Sequence, residues 1–188
     1  MQRLSIDKLH DLNEIKELVC GIQPMDEFLH SGHLAETLKE NHCDAFVARD
    51  ASDKAIAFLA MDMTTLELDD DYKAELLKGW LDAAKPEFQT EEELKSFLEC
   101  KCFEVVDIAY LAVQKEYRNM GYGREIMSFV FDYARKAHPN CLFMTVDALY
   151  LKDIDYDATG FYAKFGFQRM LPVVSDTLRM FCTLYKKP

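Results

Sequence analysis

The sequence predicts one α/β domain over residues 1–188, with a mixed sheet of about six or seven strands and helices on both faces. Two β-prone runs, 102–113 and 142–148, are joined by a helical segment, which indicates a right-handed crossover between parallel neighbours. Residues 4–9 and 177–185 alternate apolar with polar side chains. The sheet is therefore expected to be parallel in the middle and antiparallel at the flanks.

The N-terminal part is predicted to contain a strand, two helices and a hairpin. The strand at 4–9 precedes a short helix at about 13–19. The next helix, 24–40, begins with a proline, whose fixed φ and missing N–H are tolerated in a first turn. Apolar runs at 44–49 and 55–64 then flank a polar turn, which predicts an antiparallel hairpin.

Residues 66–100 form an acidic, helix-favouring insertion. Two apolar stripes separated by Pro86 predict two helices that lie over the sheet, with Trp80 as a packing anchor. Residues 62–107 hold 14 acidic and 5 basic side chains, which account for −9 of the net charge of −11. Such a surface disfavours nucleic acid and favours a cationic or neutral acceptor such as an amine. Acidic charge that only maintains solubility explains the composition equally well.

The strongest candidate for a binding site follows the strand at 102–113. A polar turn with Gly121 and Gly123 leads into an amphipathic helix, and the free N–H groups at a helix start favour an anion such as phosphate. A Walker loop does not fit, because Arg124 follows Gly123, and a dinucleotide fingerprint requires a third glycine.

Three segments of the chain resemble the GCN5-related N-acetyltransferases (GNAT). Arg118–Gly123 (RNMGYG) resembles their acetyl-CoA pyrophosphate loop, and Phe161–Phe167 (FYAKFGF) is similar to the FY-x-K-x-GF signature after their fifth strand. Val19–Leu29 resembles a CG-x-x-x-LD-x-FL stretch of the branch that includes bacterial toxins modifying aminoacyl-tRNA. That branch also has a helical insertion before the fourth strand. The resemblance implies a sheet whose central parallel pair is splayed at the cofactor.

The resemblance also implies acetyl-CoA as a co-substrate, with its pyrophosphate on the glycine turn and its pantetheine arm along the strand before it. Asp155 stands where many relatives have an asparagine that touches this arm. The implied cofactor-binding residues are Leu111, Ala112, Val113, Arg118, Asn119, Met120, Gly121, Tyr122, Gly123, Arg124, Asp155 and Tyr162.

Two catalytic residues are implied by position. Tyr162 would protonate the CoA thiolate, since a phenol with a pKa of about 10 is protonated at neutral pH. Asp107, 14 residues before Gly121, matches the catalytic glutamate of histone-modifying members, and water is the alternative base. A bulge near 111–112 would free the N–H of Val113 to stabilise the oxyanion.

The function predicted is N-acetyl transfer from acetyl-CoA to a primary amine, on a small molecule or a peptide, by direct attack. One alternative is a toxin-type enzyme that acetylates the amino group of aminoacyl-tRNA, although the insertion of those toxins is basic. Another is a non-catalytic acetyl-CoA sensor or interaction module. The acceptor, the oligomeric state and any antitoxin partner stay open, and a homodimer is a possibility.

No metal site, membrane contact or disulfide framework is expected. The six cysteines are scattered, and Cys100 and Cys102 have no second ligand pair at zinc spacing. No apolar run approaches the roughly 20 residues of a membrane helix. We expect a cytoplasmic protein.

Overall fold

The computed structural model describes residues 4–40, 42–71, 73–74, 90–170 and 176–184. The strands are β1 Ser5–Lys8, β2 Asp44–Arg49, β3 Ala55–Glu67, β4 Cys102–Val113, β5 Phe143–Leu151, β6 Tyr156–Asp157, β7 Gln168–Arg169 and β8 Thr177–Thr183. The helices are α1 Gln23–Leu29, α2 His33–Glu40, α3 Glu91–Glu99, α4 Tyr122–Ala137 and α5 Thr159–Ala163. The apolar stripe predicted for the first insertion helix, including Trp80, lies outside the described residues.

The strands form an open mixed sheet in the order β1-β2-β3-β4-β5-β8-β7, with the short β6 paired to β5. Among the strands in the described ranges, only β4 and β5 run parallel, over Val106–Ile108 against Met144–Val146, and α4 provides the crossover between them. The other neighbouring pairs are antiparallel, including the β2-β3 hairpin. The predicted mixed sheet and its hairpin are therefore confirmed, and the described ranges contain eight strands.

The continuous helix predicted over 24–40 is wrong, because α1 ends at Leu29 and α2 begins at His33. The hydroxyl of Ser31 donates a hydrogen bond of 2.8 Å to the carbonyl of Phe28, which competes with the helical ladder. Gly32 follows and lowers the helix propensity further.

The helix predicted at about 13–19 is also wrong, since only a 3-10 turn is present at Leu12–Ile15. The carboxylate of Asp11 caps this turn by accepting from the N–H of Asn13, and Glu14 completes the capping box. Beyond this turn, the N–H of Val19 donates to the side-chain oxygen of Gln114 at 2.9 Å. A contact between residues so far apart in the sequence is not revealed by a local pattern.

Helices cover both faces of the sheet. On one face, α4 packs its buried residues Ile126, Met127, Val130 and Ala134 against Leu59, Met61, Val106, Ile108, Met144 and Val146. On the opposite face, α1 and α2 cover Val47, Phe58, Ala60 and Ala112. The predicted second insertion helix is confirmed as α3, whose Phe97 joins a cluster with Phe103, Val105, Phe143 and Phe181.

None of the helices in the described ranges has both the length and the apolar character needed to cross a membrane.

Candidate active site

The turn between β4 and α4 depends on two glycines for different reasons. Gly121 directly precedes the first helical residue and has a φ of +92°, a backbone conformation that residues other than glycine rarely adopt. At Gly123, a Cβ atom would lie 2.8 Å from Cε2 of Phe161, so the absence of a side chain allows Phe161 to pack on the helix start. The first N–H groups of α4 are thereby presented beside the end of β4.

The parallel pair separates directly beneath this turn. The register between β4 and β5 ends at Ile108 and Val146, after which β4 stays with β3, and β5 pairs with β6 and β8. The strands therefore leave a gap beyond Ile108 that an extended ligand can enter.

The bulge in β4 lies at Ala109, because Ile108 pairs with Met61 and Tyr110 pairs with Ala60. The prediction of a bulge near 111–112 is therefore wrong. A bulge bends the strand that carries it, and this one coincides with the point where β4 leaves β5.

The register nevertheless leaves the backbone of Val113 facing the gap. The N–H of Gln114 donates to the carbonyl of Ile56 at 2.8 Å, and antiparallel residues alternate between bonded and non-bonded pairs. Val113, opposite Ala57, and Leu111, opposite Leu59, are therefore in non-bonded positions with respect to β3. Their N–H and C=O groups point towards the gap.

A cavity of about 970 Å³ occupies the gap and extends to the glycine turn. Of the residues expected to bind the cofactor, it is lined by Leu111, Ala112, Val113, Arg118, Asn119, Gly121, Gly123, Arg124 and Tyr162. Met120, Tyr122, Asp155 and the expected base Asp107 do not line it. The structure thus brings together nine of the twelve predicted cofactor residues, and the role of each remains a prediction.

The three that do not line the cavity have other surroundings. The side chain of Met120 is exposed, whereas Tyr122 is buried, with its ring centroid 5.8 Å from that of Tyr117. Asp155 has a φ of +51° and ends the 3-10 turn before β6.

Tyr162 is buried in an aromatic cluster at one side of the cavity. Its ring meets those of Phe161 and Phe167 edge to face, with centroid separations of 5.1 and 5.6 Å. Burial raises the pKa of the Tyr162 phenol well above its usual value. Within the described part of the chain its hydroxyl makes no hydrogen bond, and the phenol stays protonated over the physiological range.

Asp107 is buried and paired with an arginine that sequence analysis did not identify. Its Oδ1 lies 2.9 Å from Nη1 of Arg179 and accepts a hydrogen bond from the hydroxyl of Thr145. Burial raises the pKa of the Asp107 carboxyl, and the charge of Arg179 opposes that rise. The same guanidinium lies 3.1 Å from Oδ2 of Asp147, which does line the cavity.

The segment Val19–Gly21 is fixed against the glycine turn by hydrogen bonds. The guanidinium of Arg118 donates to the carbonyl of Cys20, and the N–H of Lys115 donates to that of Val19 at 2.9 Å. Asp26 accepts from the N–H groups of Cys20 and Gly21 at 2.7 and 2.8 Å. The CG and D positions of the N-terminal motif therefore hold α1 beside the glycine turn.

Sequence analysis missed several lining residues, among them Asp147, Tyr156 and Phe28. The alternation along β5 predicts that Asp147 and Val146 lie on opposite faces, but not that a gap opens there. Tyr156 lies beneath Arg118, with 5.9 Å between the guanidinium carbon and the ring centroid. In the described part of the chain, no three His, Cys, Asp or Glu side chains are grouped as metal ligands would be.

Part of the chain matches a known protein family. Residues 82–169 match the family model described as an acetyltransferase (GNAT) domain. No curated protein is similar enough in sequence to count as a match.

Solved structures share the fold at low sequence identity. AtaT complexed with acetyl-methionyl-tRNAfMet is 16% identical, with a TM-score of 0.64 over 96% of this chain and 95% of that one. AtaTR bound with acetyl-CoA is 17% identical, with a TM-score of 0.65 over 96% and 94%. A mutant of KacT is 18% identical, with a TM-score of 0.65 over 97% and 96%. The likeness extends across almost the whole chain.

Proposed function

We propose that this chain, whose residues 82–169 match the GNAT acetyltransferase domain model, transfers an acetyl group from acetyl-CoA to a primary amine. The observation that carries this proposal is the cavity between β4 and β5, with the glycine turn at one end and Tyr162 in its wall. Acetyl-CoA, when bound, supplies an acetyl group activated as a thioester.

The residues around the cavity fit such a molecule. The N–H groups at the start of α4, together with Arg118 and Arg124, provide positive charge for the pyrophosphate. The exposed backbone edge at Leu111–Val113 can pair with the peptide-like pantetheine arm as an added strand would.

Tyr162 is proposed as the general acid. As the bond from the acetyl carbon to the acceptor nitrogen forms, the carbon–sulfur bond breaks, and Tyr162 donates its proton to the departing sulfur. The nitrogen that has formed the new bond then loses its extra proton, which returns the Tyr162 phenolate to its protonated form. The N–H of Val113 is available to stabilise the charge on the carbonyl oxygen, because it faces the gap.

Asp107 is proposed as the base, acting through water because it does not line the cavity. The burial that raises the pKa of its carboxyl makes it a better proton acceptor than an exposed aspartate. The proton lost by the acceptor ammonium would pass through water to Asp107 and then to solvent.

Calorimetric titration of acetyl-CoA into Gly121→Glu, Gly166→Glu and unchanged protein tests this function. The two glycines have nearly equal φ values, +92° and +89°, so the two substitutions impose similar backbone strain. Gly121 lines the cavity, whereas a Cβ at Gly166 would meet nothing within 4 Å. Only the Gly121 variant places a carboxylate where the pyrophosphate is expected.

We expect the unchanged protein and the Gly166 variant to bind acetyl-CoA, and the Gly121 variant to bind at least about tenfold more weakly. If both variants bound acetyl-CoA equally weakly, backbone strain and not the new carboxylate would be the cause. Absence of binding to folded, unchanged protein would refute the proposed function.

A second candidate function is acetylation of the amino group of aminoacyl-tRNA. The specific observation in its favour is the likeness, across 96% of the chain, to AtaT complexed with acetyl-methionyl-tRNAfMet. The net charge of −11 opposes it, because tRNA binding normally requires a basic surface. Incubation with acetyl-CoA and a mixture of charged tRNAs, followed by mass spectrometry of the released aminoacyl groups, decides between the candidates.

A non-catalytic acetyl-CoA module would bind the cofactor without consuming it. A module of that kind has no need for a protonated phenol in the cavity wall. We therefore favour the enzyme, and Tyr162→Phe distinguishes the two, because only an enzyme loses turnover in this variant while binding is retained.

A further inference from the structure

The charges around the cavity are separated. Among the described residues that line it, Asp147 is the only acid, whereas the bases are Arg118, Arg124 and Lys164. Arg118 and Arg124 flank the glycine turn, and Asp147 lies on β5. A cavity with this distribution fits one substrate that carries phosphates and another that carries a cation.

Asp147 lies where the gap between the strands begins. It follows Val146, the last β5 residue in register with β4. The side chain of Val146 packs in the cluster beneath α4, which also contains Tyr162. Because side chains alternate along a strand, Asp147 is directed to the opposite face of the sheet. The proposed proton donor and this carboxylate therefore approach the gap from opposite faces.

One oxygen of Asp147 is held and the other is available. Oδ2 lies 3.1 Å from Nη1 of Arg179, and the same Nη1 lies 2.9 Å from Oδ1 of Asp107. Oδ1 of Asp147 has no hydrogen bond to the described residues, and about half of the side chain is exposed. One arginine between two carboxylates leaves a net negative charge at this point.

We propose that Asp147 binds the ammonium group of the acceptor. The inference rests on the proposed acetyl transfer and specifies the acceptor class: a primary alkylammonium joined to an apolar or aromatic group. The apolar part is assigned to the wall formed by Met25, Phe28, Tyr110 and Leu149. In this wall the rings of Phe28 and Tyr110 stack with centroids 4.6 Å apart.

The two carboxylates that share Arg179 then have different roles. Asp147 contacts the acceptor and contributes to its binding, so its loss raises KM for the amine. Asp107 receives a proton through water and does not line the cavity, so its loss lowers kcat. A merely structural role for Asp147 would not produce this separation of KM from kcat.

Titration of hexylammonium chloride into protein saturated with CoA tests the proposal without requiring the natural acceptor. The proteins compared are unchanged protein, Asp147→Asn and Asp153→Asn, and 1-hexanol serves as the uncharged probe. Asp153 is an exposed acid on the adjoining 3-10 turn and does not line the cavity. Asp153→Asn therefore makes the same change in net charge as Asp147→Asn but leaves the cavity unchanged.

We expect hexylammonium to bind about tenfold more weakly to Asp147→Asn than to the other two proteins. Binding of 1-hexanol should be equal in all three. The inference would be overturned if hexylammonium bound to Asp147→Asn as tightly as to the unchanged protein, or if it did not bind to the unchanged protein at all. Failure of unchanged protein to bind acetyl-CoA would instead refute the proposed function, so the two failures are distinguishable.

Discussion

Nη1 of Arg179 lies 2.9 Å from Oδ1 of Asp107, and this ion pair joins β8 to β4 across the intervening strand β5. Both side chains are largely removed from solvent, with 27% and 12% of their surfaces exposed. A buried carboxylate that loses its cationic partner is strongly unfavourable, so the pair is a sensitive point for stability.

Arg179→Leu should lower the free energy of unfolding by about 3 kcal/mol at pH 8. Burial already raises the pKa of Asp107, and removal of the arginine raises it further. A carboxyl with a raised pKa in the folded state contributes stability below its unfolded pKa, about 4, and loses it as the pH rises through the folded value. The deficit should therefore shrink towards pH 4 in urea unfolding experiments.

Arg169→Leu is the matched control for this prediction. Arg169 lies 3.6 Å from Asp157, but about half of each side chain is exposed, so the cost should stay below about 1 kcal/mol. A deficit of Arg179→Leu that is constant between pH 4 and pH 8 would contradict the explanation through Asp107.

Asp26→Asn should weaken acetyl-CoA binding although Asp26 does not line the cavity. In asparagine, an NH2 donor replaces one of the two oxygens that accept from the N–H groups of Cys20 and Gly21. We expect this loss to lower the free energy of unfolding by about 2 kcal/mol. The loosened segment no longer fixes the carbonyl that Arg118 binds, so calorimetry should show a several-fold rise in Kd.

Glu27→Gln changes the neighbouring charge on an exposed side chain whose one hydrogen bond among the described residues is accepted from Gln23. It should leave both stability and Kd unchanged. An Asp26 variant with reduced stability but unchanged Kd would show that the segment does not position the glycine turn.

Gly123→Ala should impair acetyl transfer, whereas Gly160→Ala should not. Alanine is favoured over glycine in a helix by about 1 kcal/mol, which applies to both positions. At Gly123, however, the new methyl group would lie 2.8 Å from Phe161 and must displace its ring, whereas Gly160 has open space. We expect a rate reduction of about tenfold for Gly123→Ala alone, measured as CoA release by chromatography. Equal rates for both variants would contradict this packing argument.

Tyr162→Phe should reduce turnover by about 10²–10⁴-fold while acetyl-CoA affinity is retained, because only the proton donor is removed. Since burial raises the pKa of Tyr162, the phenol should stay protonated, and active, beyond its usual value of about 10. The pH profile of kcat should therefore show no alkaline decline attributable to this group below that pH. A decline near pH 8 that disappears in the variant would contradict the prediction.

Local sequence patterns were sufficient to predict the elements that depend on neighbours along the chain. The glycine turn before α4 and the β2-β3 hairpin follow from residue periodicity and turn chemistry, which act over a few residues. Eight of the nine predicted cofactor residues that line the cavity belong to one contiguous strand and turn, 111–124, and Tyr162 on α5 is the ninth. The mutual arrangement of those eight is fixed locally.

What the tertiary structure decided depends on register between distant strands. Whether Asp107 faces a ligand or Arg179 depends on contacts with β5 and β8, which no local pattern contains. The bulge at Ala109 likewise occurs where β4 diverges from β5. The same divergence exposes the side chain of Asp147 to the gap. The sequence determined the fold and one wall of the site, and strand register decided which carboxylate faces the acceptor.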